Sequence, residues 1–274
     1  MSLVTLGSHP NNLSLFVLRH RGVLENAAEQ IGHQIQWYDY ANGGISADLL
    51  ADGIVDVVGT GCTPPAVAAA QGMDIHYVAA SLPRPNNCAL VSLQYSDFSH
   101  LRGKKIAAMV GSFTDHFLAT LLNAQQWQLR DVTLVDLRGN TPLQALQEGS
   151  IDAWLAVDPW LQAALEIPNI HLLAQVGKHI PNRSVFWSHQ QWANEHADFE
   201  TWLVKQLADN DQWIAHNPQQ AAQLLQQHLP NGLSLAHWQQ SIRQRTWGIE
   251  AANATLQQEQ QQQGLDLKQA GFIV

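Results

Sequence analysis

Over roughly the first 190 residues the apolar positions alternate between two spacings. Short alternating or continuous apolar runs at 4–6, 35–40, 54–58, 76–80, 89–93, 106–110, 133–137 and 153–157 predict strands. Helical spacing at 13–30, 64–71, 113–126, 142–147 and 159–166 predicts helices between them. Strand–helix alternation of this kind points to parallel sheets with crossover helices. After Val185 the pattern becomes all helical, with candidate helices at 198–216, 219–227, 234–245 and 250–263. The glutamine run at 257–263 falls at the end of such a pattern and reads as a solvated helix face.

The pattern also repeats. Leu49-Leu50-Ala51-Asp52-Gly53-Ile54-Val55-Asp56 matches Ala145-Leu146-Gln147-Glu148-Gly149-Ser150-Ile151-Asp152. In each copy a helix ends at a glycine, where a left-handed backbone costs little, and an Asp leads into a strand. Each strand then meets a proline-opened helix, Thr63-Pro64-Pro65 in the first copy and Asp158-Pro159-Trp160 in the second. Upstream, a strand runs into Gly7-Ser8 in one copy and Gly111-Ser112 in the other. Two βαβ-type lobes are therefore expected, and a length of 274 residues suits two. In open α/β sheets ligands gather beyond the C-terminal strand ends. Four helix N-termini would then serve one cleft.

Composition narrows the possible partners. With 46% hydrophobic and 14% charged residues the chain has ample core and is not disordered. Fourteen Lys+Arg against twenty-three Asp+Glu leave −9, which is ill suited to nucleic acid or an anionic membrane. A small anion would need a local site. Two cysteines, Cys62 and Cys88, make neither a disulfide framework nor a four-thiolate zinc site. No apolar run reaches the ~18 residues of a membrane span. Met1-Ser2-Leu3 runs straight into the first strand without a basic n-region, which predicts either a cytosolic chain or one whose leader has been replaced by a start codon.

The turns themselves carry the candidate chemistry. A helix N-terminus offers unpaired N–H groups and about half a positive charge. Ser112 is placed as an N-cap ahead of Phe113 and Thr114, and Cys62 or Thr63 stands before Pro64-Pro65. Gly59-Thr60-Gly61 lacks the third glycine of a dinucleotide loop, because Pro64 stands there. His9 and His116 lie beside the two Gly-Ser turns, but two histidines without a third ligand read as hydrogen-bonding groups rather than a metal site. Cys62 at a helix start is a candidate nucleophile or, more simply, a small buried turn residue. Trp160 and Trp187 are placed to form apolar walls.

Gly59-Thr60-Gly61-Cys62-Thr63-Pro64-Pro65 through Gln71-Gly72 resembles the Gly-Thr-Gly-Asp-Thr-Pro-Pro segment of aliphatic-sulfonate-binding proteins. So do Gly111-Ser112 with His116, the run Glu148-Gly149-Ser150-Ile151-Asp152-Ala153-Trp154, and Asp158-Pro159-Trp160. These are solute-binding components of ABC importers, with taurine-, nitrate- and thiamin-precursor-binding relatives. Cys62 stands where the sulfonate binders have Asp. The resemblance implies an α/β, two-lobed periplasmic-binding-protein fold (type II) with two hinge crossings, at Pro83-Arg84-Pro85 and Pro181-Asn182-Arg183. Lobe one would be 1–84 with 186–274, and lobe two 85–185. It further implies a ligand site shared by two groups of residues. His9, Asn11, Asn12, Gly61, Cys62, Thr63, Ser81 and Trp187 would come from the first lobe and the chain's return to it. Ser112, Phe113, Thr114, His116, Asp158 and Trp160 would come from the second. The implied function is capture of a small anionic solute, an alkanesulfonate or taurine, by a periplasmic monomer that serves an inner-membrane permease without cofactor, metal or nucleic acid. The rival is an enzyme on the same fold, a desulfinase or thiamin-pyrimidine synthase, using Cys62; a third reading is a binder of nitrate or a thiamin precursor.

Overall fold

The alternation of the sequence is built, in the computed structural model, into two open sheets. Residues 2–229 and 231–274 are described. The first passage of the chain forms β1 (Ser2–Ser8), α1 (Leu13–Arg21), α2 (Leu24–Glu29), β2 (His33–Asp39), α3 (Ser46–Ala51), β3 (Val57–Gly61), α4 (Thr63–Ala70) and β4 (Ile75–Ser81). The second forms β5 (Cys88–Ser92), β6 (Lys105–Ala108), α5 (Phe113–Ala124), β7 (Thr133–Asp136), α6 (Thr141–Gln147), β8 (Ala153–Val157), α7 (Trp160–Leu165) and β9 (His171–Gln175). The remainder is β10 (Ser184–His189), α8 (Gln190–Glu195), α9 (Ala197–His216), α10 (Pro218–His228), α11 (Leu235–Gln244), β11 (Ile249–Ala251) and α12 (Ala254–Ala270). The helix expected over 13–30 is broken in two, because Gly22 adopts φ 62 and ends α1 in the left-handed conformation.

The sheets are mixed rather than purely parallel. One has the order β11-β4-β10-β3-β1-β2, the other β7-β6-β8-β5-β9. Within them β2, β1 and β3 pair in parallel, as do β7, β6 and β8. The next strand in each is antiparallel: β10 lies between β3 and β4, and β5 between β8 and β9. The two sheets thus share one plan, with β11 an extra edge strand on the first. Strands β9, β10 and β11 have no counterpart among the predicted ones. Residues 184–188 of β10 are buried outright, as a strand covered on both faces must be, and show no alternation to betray it.

Contact clustering divides the chain into a first unit, Met1–Leu82 with Arg183–Gln260, and a second, Pro83–Asn182 with Gln261–Val274. The chain changes unit at 82/83, at 182/183 and again within α12 at 260/261, where the sequence reading kept all of 186–274 in the first lobe. The last residues group with the second unit because Asp266 bonds there to His116 and Asn123 of α5. The first unit packs Val4, Leu6, Leu15, Leu18, Val57, Phe186 and Phe199 into one core; the second packs Ala89, Val91, Ala107, Trp154 and Leu161 into its own.

The sequence repeat is also a repeat of hydrogen bonds. Gly53 (φ 65) and Gly149 (φ 71) end α3 and α6, and one residue on, Ile54 N–H and Ser150 N–H return to Leu49 and Ala145 carbonyls. Asp56 and Asp152 then fix the next strand in the same way. Asp56 N–H donates to Thr5 O while its carboxylate accepts Thr5 N–H at 2.7 Å. Asp152 N–H donates to Lys105 O while its carboxylate accepts Lys105 N–H at 2.8 Å. The two copies lie in different sheets, on the approach to β3 and to β8. Each Asp therefore sets the register of a strand against its neighbour, β1 or β6. A charge-assisted bond of this kind contributes about 1.5–3 kcal/mol. Asp56→Ala and Asp152→Ala are each expected to lower unfolding stability by about 1–3 kcal/mol in urea titrations. The larger loss should be at Asp56, whose bond is the more buried; equal stability of both variants and the parent would refute the brace.

Candidate functional site

In the first unit, β1 delivers the chain to a turn at 8–12. Asn12 caps α1, its Oδ1 accepting Leu15 N–H at 3.1 Å. Its Nδ2 and the Ser8 hydroxyl are buried and unpartnered. His9 is buried and uses both ring nitrogens. Nδ1 accepts Asn11 N–H at 3.2 Å, so Nε2 carries the proton and donates to Gly59 O at 2.8 Å. Burial outweighs that bond and lowers the His9 pKa to about 4, so the imidazole is neutral near pH 7. His9 therefore ties the first turn to the end of β3 instead of presenting a free nitrogen. Gly59 has to be glycine: a Cβ there would stand 2.6 Å from Asn12 Nδ2 and 2.9 Å from the Phe186 ring.

The end of β3 is held from below. Trp187 Nε1–H donates to the Thr60 hydroxyl at 3.0 Å, and that hydroxyl donates to Gly61 O at 2.7 Å. Trp187 is wholly buried, under the turn, where the sequence reading had it as an apolar wall. Ser81 is also buried, accepting Ser184 N–H at 2.9 Å and donating to Leu82 O. Asn11 is exposed, Gly61 half-buried, and Cys62 and Thr63 buried at the start of α4. Neither cysteine is in a disulfide. Burial, and then the charge of Asp158, pushes the Cys88 thiol well above its usual range.

In the second unit, Ser112 caps α5 and accepts Thr114 N–H at 3.3 Å. Thr114 is buried, and its hydroxyl donates to Met109 O at 3.0 Å. The 3.0 Å bond between the two hydroxyls then runs from Ser112 to Thr114, leaving the Ser112 proton as the one able to turn to a ligand. Phe113 is nearly buried beside them. Asp115 Oδ2 accepts Gly111 N–H at 2.7 Å, Asp136 accepts Val110 N–H at 3.1 Å, and Arg138 donates to Val110 O at 2.7 Å. The turn is thus pinned on three sides. Farther along, Asp158 N–H donates to Asn87 O, its carboxylate accepts the Gln162 amide at 3.3 Å, and half-buried Trp160 opens α7.

His116 lies one helical turn past Ser112, on the same face of α5. Its Nε2 is 2.9 Å from Asp266 Oδ2, and its Nδ1 is buried without a partner. Burial pushes Asp266 up, but hydrogen bonds from His116 and Gln262 outweigh it and hold the carboxyl below its usual range. Asp115 and Asp266 were absent from the sequence-based site. Asp115 had a local signal, the Ser-x-x-Asp spacing of a capping box; Asp266, 150 positions from His116, had none. Among the described residues no group of three or more His, Cys, Asp or Glu could hold a metal, and no helix is long and apolar enough to cross a membrane.

Burial raises the Asp115 pKa to about 7, against the pull of the Gly111 N–H. A carboxyl whose folded value lies above its unfolded one keeps its proton longer in the folded state, so stability falls as pH rises from about 4 to about 7. Asp115→Asn removes that liability and keeps an acceptor for Gly111. Melting curves should show the variant close to the parent at pH 5 and more stable by on the order of 2 kcal/mol at pH 8. A constant difference across that range would rule out burial of the charge as the cause.

The model of the family described as NMT1/THI5 like matches residues 30–221. A protein named as aliphatic sulfonates-binding, from Escherichia coli (strain K12), is 23% identical over 223 residues, which cover 80% of this chain and 69% of the relative. The chain spans 48 to 69% of the length of the curated relatives it matches. Among solved structures, the periplasmic aliphatic sulphonate binding protein SsuA from Escherichia coli matches with a TM-score of 0.86 at 21% identity, over 99% of this chain and 88% of that one. The alkanesulfonate-binding protein SsuA from Xanthomonas axonopodis pv. citri, bound to MOPS, gives 0.84 at 23% identity, over 99% and 94%. At such identity the structural likeness establishes the fold. The family match covers well over half of the residues: the chain belongs to the NMT1/THI5-like family and has the fold of the periplasmic binding proteins.

Proposed function

We propose that this chain is the solute-binding component of an ABC importer, which captures a small oxyanion in the periplasm and delivers it to an inner-membrane permease. The solute class is an aliphatic sulfonate, an alkanesulfonate or taurine. The observation that carries this reading is the pair of strand-to-helix turns at 8–12 and 110–114, whose residues Ser-His-Pro-Asn-Asn and Val-Gly-Ser-Phe-Thr include no acidic or basic side chain apart from a neutral histidine. Each turn opens a helix whose first N–H groups lack intrahelical acceptors, and each adds donors of its own: the Ser112 hydroxyl in one, the Ser8 hydroxyl and Asn12 Nδ2 in the other. Neutral donors and a helix dipole suit a permanently ionised headgroup with three equivalent oxygens. No countercharge then has to be stripped of water when the solute enters, and release to a permease stays easy. Relatives named for aliphatic sulfonates and taurine support the same class. The partly exposed Trp160 supplies apolar surface for a short organic tail. Only hydrogen-bonding groups are called for, so the role is binding without chemistry, by a monomer.

Ethanesulfonate, taurine and MOPS are therefore expected to stabilise the protein in a thermal-shift assay. At about a hundredfold excess over Kd a ligand adds about 2.7 kcal/mol, and the melting temperature should rise by roughly 5–10 °C. Flat melting curves with all three, beside a response to nitrate or a pyrimidine, would move the chain to another substrate class. Ser112→Gly removes the hydroxyl while keeping most of the cap. Its affinity for the responding sulfonate should fall tenfold to a hundredfold, the worth of one hydrogen bond to a charged group, with the ligand-free melting temperature almost unmoved. Calorimetric titration decides this, and parental affinity in Ser112→Gly would take the anion away from the α5 turn.

A further inference from the structure

We propose that Asp266 is a positioning residue for ligand capture: from the last helix it takes Nε2–H of His116 and so leaves Nδ1 as the nitrogen that, in the doubly protonated ring, donates to the bound anion. The inference rests on the oxyanion reading above and adds to it the contact and the residue that prepares it.

The geometry is specific. The His116 ring is about nineteen-twentieths buried, and its two nitrogens have opposite fates: Nε2 lies 2.9 Å from a carboxylate oxygen, while Nδ1 has no hydrogen-bond partner. A buried imidazole nitrogen left without a partner costs of the order of a lost hydrogen bond, so its retention calls for a partner that is supplied later. His196, between α8 and α9, and His216, at the end of α9, each place Nδ1 on the carbonyl four residues back, at 2.9 and 2.7 Å. His116 does not, although Ser112 O lies in the equivalent place and accepts Asp115 N–H instead. Asp266 is itself held firmly: Gln262 donates to its second carboxylate oxygen at 2.9 Å, and Asn123 donates to its backbone carbonyl at 3.0 Å. The carboxylate is therefore a fixed acceptor that decides which imidazole nitrogen remains. With Nε2–H given to Asp266, Nδ1 can donate only when the ring carries both protons. An anion then meets a cation already neutralised at its far side, so the ring offers a charged donor without adding net charge to the turn.

The test uses full-length protein with ethanesulfonate, sulfate and nitrate as probes. Nitrogen NMR of the His116 ring should show Nδ1 protonated and hydrogen-bonded once a probe saturates the parent. Asp266→Asn and His116→Gln should each bind that probe at least tenfold more weakly. The double variant should be no weaker than the worse single one, because the two residues act as a unit. A merely structural clasp predicts lower melting temperatures with affinity unchanged at 10 °C, and that outcome overturns the proposal. So does a His116 signal that no bound probe moves, which needs no variant to fold. If sulfate or nitrate moves His116 and ethanesulfonate does not, the sulfonate reading fails while the Asp266–His116 assignment stands. If no probe binds the parent at all, both fall.

Discussion

Each sheet depends on a strand that the chain supplies only after it has left the other unit. In the first unit β4 and β11 are joined to the parallel trio β2-β1-β3 solely through β10, which enters at Arg183. In the second, β9 is joined to β7-β6-β8 solely through β5, which follows the crossing at Pro83. The wedge strand must pair on both edges and pack on both faces, which is why β5 and most of β10 are buried throughout. The consequence reaches the candidate site directly. The wedge in the first unit carries Trp187, whose indole N–H holds Thr60 and through it Gly61. What supports the second turn of the first unit is thus a residue from the far side of a long excursion through the other unit.

Electrostatically the two units solve the same problem differently. The turn in the first is kept neutral, with a histidine whose burial forbids a proton under ordinary conditions and whose two nitrogens are both occupied. The turn in the second is surrounded by charges, Asp115, Asp136 and Arg138, but these are spent on the backbone N–H and C=O groups of Val110 and Gly111. In both cases the backbone is immobilised, with Asn12 and Ser112 capping the first turn of the helix each opens, a form of preorganisation in which no donor has to reorient far when an anion arrives.

Much of this was legible in the residues, and the limits follow from physics. The period of the apolar pattern identified the parallel strands and their crossover helices, because each of these carries its own local signature. The Gly-x-Ile/Val-Asp repeat pointed to equivalent strand starts, and the hydrogen bonds of Asp56 and Asp152 explain why that spacing recurs. The wedge strand β10 was missed because full burial erases alternation, and β11 because three residues are too few to show any. Among the candidate site residues, Ser112, Asn12 and His116 stand out beside glycine turns, where sequence reports conformation well. Trp187 and Thr114 occupy supporting places that only side-chain partners distinguish from contact positions. Asp266 is invisible in sequence, since its meaning depends on a partner brought to it by the fold.

The dependence of the first sheet on a returning strand also orders events in time when the chain is made from its amino end. All five strands of the second unit lie between residues 88 and 175, so its sheet can close as soon as that stretch has emerged from the ribosome. The first unit, though begun earlier, has a gap between β3 and β4 until residues 184–189 follow, and its edge strand ends only at Ala251. The domain numbered first is the one completed later, and in the interval it leaves one edge of β3 and both edges of β4 open to the synthetic machinery and its chaperones.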